Sequence, residues 1–303
     1  MIRFIGICLI LLISLISPSY AADANLLILF PKLNAAYDRV FAEIIDGIDS
    51  HKNIIPHTYT LTASTSVEDI QRQIDKNRID AIIALGQSSY DISHLFHNQL
   101  PVIHGGMIIN PGAHTGISLA GSPRQFFSSL KTIAPSVKRV FTVYSEENSG
   151  WLIKLAEEEA DKANIKLVAV AATDIRHAVK MFRDILEQAN GSSDAVWLLL
   201  DKVLPDETVL PLALEAAWKK NIVLFSNNPS HTKRGALFAL FPNHNRMGYN
   251  LAELSLQQLL SNKPVVLPLS SLKIAVNERT ASHLGLRYSN TELEKFDIIY
   301  PLR

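Results

Sequence analysis

Polar side chains follow five of the predicted strands, at the points where a helix or loop begins, and together they could hold a small ligand. Free N–H groups and hydroxyls at the start of a helix suit an anion. A carboxylate after a strand could pair with an ammonium group, and amides both donate and accept hydrogen bonds. The candidate ligand-binding residues are Gln87, Ser88, Ser89, His104, Gly105, Tyr144, Ser149, Asp201, Asn227 and Asn228.

Each candidate also has a plain structural interpretation, which the sequence leaves open. Ser88 and Ser89 could simply cap a helix, and Gly105 with Gly106 could form an ordinary turn. Asp201 could cap the following helix, although Asp206 already suits that start. The asparagines are common loop residues, and most of the polar segment 144–150 could be a solvated turn. Tyr144 and Ser149 are the ligand candidates within that segment.

Catalytic and metal-binding patterns are weak. The segment GQSSY does not match the nucleophile elbow G-x-S-x-G, and neither a P-loop nor G-x-G-x-x-G is present. The one pairing worth testing for hydrolysis is Ser88 or Ser89 with His104. His94 and His97 share a helical face but lack a third ligand, and a single cysteine excludes a Cys-based zinc site. We therefore predict no catalytic residues, no metal and no cofactor.

The elements that must position these residues alternate between strand and helix. A first series of about five strands precedes residue 135, and a second begins at residue 139. Alternation of this kind predicts right-handed βαβ units and mainly parallel sheets. The predicted strands are residues 25–30, 54–61, 81–85, 101–104, 115–119, 139–144, 166–171, 195–200, 222–225, 236–241 and 272–276. The predicted helices include 66–76, 87–98, 123–133, 150–163, 175–189, 205–220 and 243–261.

Two such series predict an α/β protein of two Rossmann-like lobes with a cleft between them. Open α/β sheets bind ligands at the carboxyl ends of their strands. We assign residues 22–135 and 243–270 to an N-terminal lobe and residues 136–242 and 271–303 to a C-terminal lobe. The cleft is then the expected ligand site.

The first 21 residues are typical of a secretory signal peptide. Arg3 precedes an apolar run over residues 4–16, Pro18 ends it, and small residues at 19 and 21 suit cleavage after Ala21. The run is too short for a membrane-spanning helix, so we predict a periplasmic protein without stable membrane insertion. The chain has 29 Lys+Arg and 29 Asp+Glu, and this balance argues against a nucleic-acid partner.

Four segments give the chain a resemblance to a known family. They are TGISLAGSPRQFFSSLKTIAPSVKRVFTVYSEENSG (115–150), SDAVWLLLDKVLPDETV (193–209), NIVLFSNNPSHTKRGALFALFPNHNRMGYNLAELSLQQLLSNKP (221–264) and LKIAVNERTASHLGL (272–286). In order and spacing they resemble ABC-transporter substrate-binding proteins of the tryptophan/tyrosine type. The resemblance is strongest over residues 80–287.

The resemblance implies a type I periplasmic-binding-protein fold with three crossings between the lobes. It also implies a monomer that closes on a small-molecule ligand, an amino acid or an aromatic carboxylate, and delivers it to an ABC permease and its ATPase. The ligand-facing loops would start at Gln87, His104, Tyr144, Asp201 and Asn227. Residues 31–34 lack the polar or histidine pattern usual there, and His104 opens a loop that is more often aromatic and small.

The pair Asn227-Asn228 stands where an acidic residue is common in the family, which weakens the case for an amino-acid ligand unless Asp201 substitutes. Two other functions stay open from the sequence. One is a periplasmic sensor or regulatory protein that uses the same fold without transport, and the other is the hydrolase described above.

Overall fold

A computed structural model describes residues 23–32, 35–261 and 263–302. The predicted signal peptide and its cleavage point after Ala21 lie outside the described residues. Within the described part of the chain, no helix combines the length and the apolar character needed to cross a bilayer.

The first series of elements forms most of one sheet. It comprises β1 (Ala24–Pro31), α1 (Ala35–Asp49), β2 (Ile54–Leu61), α2 (Val67–Asn77), β3 (Ala81–Leu85), α3 (Gln87–Ser93), a 3-10 turn (His94–Phe96), β4 (Val102–Gly105), β5 (Thr115–Gly121) and α4 (Pro123–Ile133).

The second series contains all seven strands of the other sheet and returns to the first sheet with one strand, β11. It comprises β6 (Arg139–Tyr144), α5 (Glu146–Lys162), β7 (Lys166–Ala171), α6 (Ile175–Gln188), β8 (Asp194–Leu198), α7 (Asp206–Lys220), β9 (Val223–Ser226), α8 (Pro229–Arg234), β10 (Phe238–Pro242), α9 (His244–Leu260), β11 (Val266–Leu269), β12 (Leu272–Asn277), α10 (Glu278–His283), α11 (Asn290–Leu293) and β13 (Ile298–Tyr300).

The two sheets confirm the predicted α/β fold class. The first sheet has the strand order β11-β5-β4-β3-β1-β2, and all its pairs are parallel. The second has the order β13-β12-β10-β9-β8-β6-β7, in which only the β10–β12 pair is antiparallel. Strands such as β3 are buried along their whole length, as expected where helices cover both faces of a sheet.

The chain passes between the sheets at three points, as the fold class requires: after β5, after β10 and after β11. Backbone hydrogen bonds tie these crossings together. Ser122 N donates to Leu269 O at 2.8 Å, and Asn243 N donates to Ser271 O at 2.9 Å. The three connecting segments are therefore hydrogen-bonded to one another side by side.

The exact lobe boundaries stay a prediction, and contacts of α4 bear on the first one. Phe126 and Phe127 of α4 pack on Trp197 in the second sheet, with ring centroids 5.0 and 5.9 Å apart. We propose on this basis that α4 belongs to the second lobe and that the first crossing lies at Gly121–Ser122, upstream of the boundary at residue 135.

The helix α9 returns to the first lobe and packs on α1 with almost no space between their backbones. A Cβ added to Gly47 would lie 1.8 Å from Asn245 O, and one added to Gly248 would lie 1.9 Å from Ile44 O. Only glycine permits so close an approach, and the contact fixes α9 against the first sheet.

Two predicted helices have different bounds in the structure. The helix α5 begins at Glu146 rather than Gly150, because Ser145 caps it by accepting a hydrogen bond from Asn148 N. Most of the polar segment predicted as a turn is thus helical. The helix predicted over 87–98 ends at Ser93 and continues as a 3-10 turn, so His94 and His97 do not share an α-helical face.

Candidate functional site

A cavity of about 640 Å³ lies between the two lobes, at the carboxyl ends of strands from both sheets. Its size falls in the range of roughly 300–1,000 Å³ that is typical of small-molecule sites. Its lining comprises Gln87, Tyr90, residues 107–114, Ala120, Gly121, Phe126, Asn148, Ser149, Trp151, Leu152, Trp197, Leu199, Leu200, Asp201, Lys202 and Asn227.

Aromatic side chains form much of the cavity surface. Trp197 stacks beside Phe225 with the ring planes 13° apart, and Phe126 lies against it. Nε1 of Trp197 is buried and has no hydrogen-bond partner among the described residues. A buried N–H without a partner is costly, and Trp197 is 1% exposed, so a ligand reaches this N–H only if the side chains around it shift.

Tyr90 and His114 line the cavity as a hydrogen-bonded pair, with Tyr90 OH and His114 Nε2 2.7 Å apart. The ring of His104 lies 4.6 Å from that of Tyr90 and 5.8 Å from that of His114. Burial, and secondarily the charge of His114, lowers the pKa of His104 to about 4. His104 is therefore neutral near pH 7, and it packs behind Tyr90 and His114, outside the cavity lining.

The loop over residues 107–114 reaches from the first lobe to the second. Asn110 Nδ2 donates to Glu147 O at 3.1 Å, and Trp151 Nε1 donates to Asn110 Oδ1 at 3.1 Å. Both acceptor and donor belong to α5 of the second lobe. These two bonds form a latch, defined here as Asn110, Glu147 and Trp151, that joins the lobes across the mouth of the cavity.

Asp201 lines the cavity but is engaged with its own lobe. Its Oδ2 accepts hydrogen bonds from Ser145 N at 2.9 Å and Ser149 Oγ at 2.6 Å, and its Oδ1 accepts from Val203 N at 3.1 Å. The carboxylate thus fastens the loop after β8 to the start of α5. Much of its accepting capacity is used before any ligand arrives.

The structure brings four predicted candidates to the cavity lining: Gln87, Ser149, Asp201 and Asn227. Gln87 Nε2 also donates to Asp91 Oδ1 at 2.7 Å. The four residues follow the carboxyl ends of strands β3, β6, β8 and β9, which is where the sequence predicted the site. Their role in ligand binding stays a prediction.

The other six candidates lie outside the lining. Ser88 is exposed, while Ser89 and His104 are buried within the first lobe. Gly105 faces α9, because a Cβ there would lie 2.6 Å from a methyl group of Leu251.

Tyr144 and Asn228 have local partners instead. Tyr144 OH donates to Glu146 Oε2 at 3.0 Å, and its ring packs on the core of the second lobe. Burial raises the pKa of Tyr144. Asn228 caps α8 by accepting from Ser230 N at 2.9 Å. Neither side chain lines the cavity, so local capping and packing account for both.

The serine–histidine pairing considered for hydrolysis is not formed by Ser89. Its Oγ is buried and has no hydrogen-bond partner within residues 23–32, 35–261 and 263–302, and Nδ1 of His104 has none there either. A nucleophile needs a base within hydrogen-bond reach. Among the described residues, no three His, Cys, Asp or Glu side chains are grouped so that they could hold a metal ion.

Sequence reasoning did not name five residues of the cavity lining: Tyr90, Asn110, His114, Trp151 and Trp197. Trp197 and Trp151 pack in and against the core of the second lobe, as predicted, and they also border the cavity. The long segment over residues 106–114, between two buried strands, could have indicated Asn110 and His114, because long loops often carry binding residues.

The sequence matches the family described as ABC transporter substrate binding protein over residues 46–296. No curated protein matches the chain. A substrate-binding protein with adhesive properties from Clostridium difficile, solved ligand-free and open, has a TM-score of 0.60 and 17% identity, covering 92% of this chain and 100% of that one. An ABC domain from Streptococcus pneumoniae in complex with L-Trp has a TM-score of 0.54 and 16% identity, with coverages of 92% and 100%.

A conserved domain protein from Vibrio cholerae has a TM-score of 0.53 and 18% identity, covering 91% of this chain and 99% of that one. At such identities the likeness concerns the fold. The family match extends over most of the chain, so the protein belongs to the ABC transporter substrate-binding family, as the resemblance of its four segments predicted.

Proposed function

We propose that the protein captures a small molecule between its two lobes and releases it, unchanged, to an ABC permease and its ATPase. The observation that carries the proposal is the 640 Å³ cavity between the lobes, with aromatic walls and a few polar groups at strand ends. Such a lining suits a ligand with a flat apolar body, and the polar groups fix its orientation.

An aromatic carboxylate suits the site better than an amino acid. Trp197 Nε1 is a buried donor that lacks an acceptor among the described residues, and in this proposal a ligand carboxylate supplies one after the side chains around it shift. An ammonium group would need an anionic partner, but Asp201 already accepts three hydrogen bonds. The Streptococcus pneumoniae domain is solved in complex with L-Trp, an aromatic amino acid, which supports an aromatic ring in the ligand but does not favour a carboxylate over an amino acid.

Export and the predicted signal peptide belong to the same proposal. A binding protein that serves a permease works outside the cytoplasmic membrane, and the sequence of residues 1–21 suits export followed by cleavage after Ala21. We propose a periplasmic monomer. Stimulation of ATP hydrolysis by a reconstituted permease complex, on addition of ligand-loaded protein, would test delivery.

Calorimetric titration tests ligand binding. Indole-3-carboxylate, benzoate, tryptophan and tyrosine serve as probes, and we expect an aromatic carboxylate to bind with one site per chain and without turnover. Trp197→Phe keeps an aromatic ring, although a smaller one, and removes the N–H, so the affinity for the ligand should fall by about fivefold or more, as expected for one hydrogen bond.

Tyr59→Phe is the control, because Tyr59 lies on β2, outside the cavity lining, and its substitution should leave this binding unchanged. Binding of none of these probes, or equal affinity in Trp197→Phe and the unaltered protein, would contradict the proposed orientation.

A further inference from the structure

A second concavity, of about 550 Å³, lies at the far end of the C-terminal lobe. It lies at the amino end of β10, since Gly235 precedes this strand and Asn277 N donates to Leu237 O beside it. The inter-lobe cavity lies at the opposite end of the same sheet, where the parallel strands have their carboxyl ends. The lining comprises Trp218, Lys233, Arg234, Gly235, Asn277, Arg279, Thr280, Tyr300, Pro301 and Leu302.

The charged side chains in this lining are all cations: Lys233, Arg234 and Arg279. All three are exposed, and none takes part in an ion pair between described residues. The chain as a whole has a formal net charge of zero. Three uncompensated cations around one concavity are therefore a local surplus, which favours binding of an anion.

A partly exposed indole ring lies in the same concavity. Trp218 is 46% exposed, and its ring stacks on His283 at a centroid distance of 3.7 Å with the planes 5° apart. The guanidinium of Arg279 lies over the indole, 6.0 Å from the ring centroid. The exposed part of the indole can contact a flat ring while the arginine beside it contacts an anionic group attached to that ring.

Buried hydrogen bonds hold the backbone that carries these groups. Asn277 Nδ2 donates to Thr232 O at 2.8 Å, and Asn277 Oδ1 accepts from Thr280 N at 3.0 Å. Thr280 Oγ1 donates to Gly235 O at 3.0 Å. These bonds join the end of α8 to the start of α10, so the cations on both helices share a fixed framework.

We propose that this concavity is a second ligand site, which binds a phosphate monoester that carries a flat ring. The phosphate contacts Lys233, Arg234 and Arg279, and the ring stacks on Trp218. The site is separate from the inter-lobe cavity, and the proposal does not depend on what that cavity binds.

Calorimetric titration with adenosine 5′-monophosphate tests the proposal, with adenosine and ribose 5-phosphate as the two fragments. We expect the monophosphate to bind at least tenfold more tightly than either fragment, because only it engages both the cations and the indole. The affinity should fall as salt is raised, since the three cations are exposed. Adenosine binding as tightly as its monophosphate would overturn the assignment of the cations.

Substitutions separate this site from the rest of the surface. Arg279→Ala should weaken binding about tenfold or more, as expected for a hydrogen bond to a charged group, and Trp218→Leu should do the same. Trp218→Phe keeps a ring that can stack and should retain most of the affinity, so it controls for loss of binding through misfolding. Arg183→Ala on α6 removes an exposed cation elsewhere and should have no effect.

Two results would overturn the proposal: no binding of the monophosphate at millimolar concentration in low salt, or binding that persists unchanged in both Arg279→Ala and Trp218→Leu. Vesicles that contain phosphatidylglycerol distinguish a lipid headgroup from a soluble monoester. Co-sedimentation with these vesicles, with no binding of the monophosphate, would also count against the proposed ligand.

Discussion

The latch formed by Asn110, Glu147 and Trp151 gives a prediction about the opening of the cleft. Replacing Asn110 by alanine removes both hydrogen bonds that join the 107–114 loop to α5. A hydrogen bond contributes about 0.5–1.5 kcal/mol net, so two contribute about 1–3 kcal/mol. Both are solvent-exposed, so we expect about 1 kcal/mol, which shifts the closed-to-open ratio about fivefold toward open.

Distances between labels on the two lobes measure this shift. The chain has one cysteine, Cys8, which falls in the predicted signal peptide. Cysteines introduced at exposed Asp75 on α2 and exposed Lys154 on α5 would then be the only labelling sites. Pulsed electron–electron resonance on Asn110→Ala should show more of the long-distance population than the unaltered protein does.

Two further variants make the experiment decisive. Asn110→Asp removes the donor to Glu147 O but keeps an acceptor for Trp151, so its shift should lie between those of the alanine variant and the unaltered protein. Asn53→Ala, an exposed asparagine of the first lobe away from the cleft, should change nothing. Identical distance distributions in all four proteins would refute the role of the latch.

Three other predictions concern stability and are checked by urea denaturation. Burial lowers the pKa of His104 from 6.5 to about 4, so the unfolded chain takes up the proton first. The free energy of unfolding should therefore fall as the pH drops from about 6.5 to 4, by up to about 3 kcal/mol, and His104→Phe should lose less over that window; parallel pH profiles would contradict this. Arg139 binds Asp194 through two hydrogen bonds of 2.8 and 2.6 Å; burial alone would raise the pKa of Asp194, but Arg139 brings it below its usual value. Arg139→Ala removes two hydrogen bonds to that carboxylate and leaves the one from Asn190 N, so the free energy of unfolding should fall, whereas unchanged stability would mean that the pair acts as a surface ion pair. Asp201→Asn replaces an acceptor by a donor opposite Ser149 and should destabilise by about 1–3 kcal/mol; unchanged stability would indicate that Asp201 is free for a ligand.

Buried strands were predictable from the sequence because both faces of a parallel sheet are covered. Runs such as that of β3 are apolar throughout and end at a glycine or a polar residue. The short elements α8, β11, α10, α11 and β13 were missed. The strand β11 contains Pro268 and forms only because β5 lies beside it, a contact between residues about 150 positions apart in sequence that no local pattern encodes.

The candidate site was predictable as a place but not as a set of side chains. The ends of the strands had to border the cleft, and Gln87 and Asn227 do so. Which way a side chain at a strand end points depends on the twist of the sheet and on the helices behind it. His104 turns into the first lobe, while His114, on a loop without any motif, faces the cavity.

The path of the chain constrains the order in which the protein can assemble. Strands β1–β5 are made first, yet their lobe lacks α9 and the edge strand β11 until the chain has extended past Leu269. The β6–β10 segment is continuous and closes its part of the second sheet from neighbouring sequence, which costs less loop entropy. A nascent chain that ends near Pro242 would therefore hold one nearly finished half and one that still exposes the side of α1 that α9 later covers.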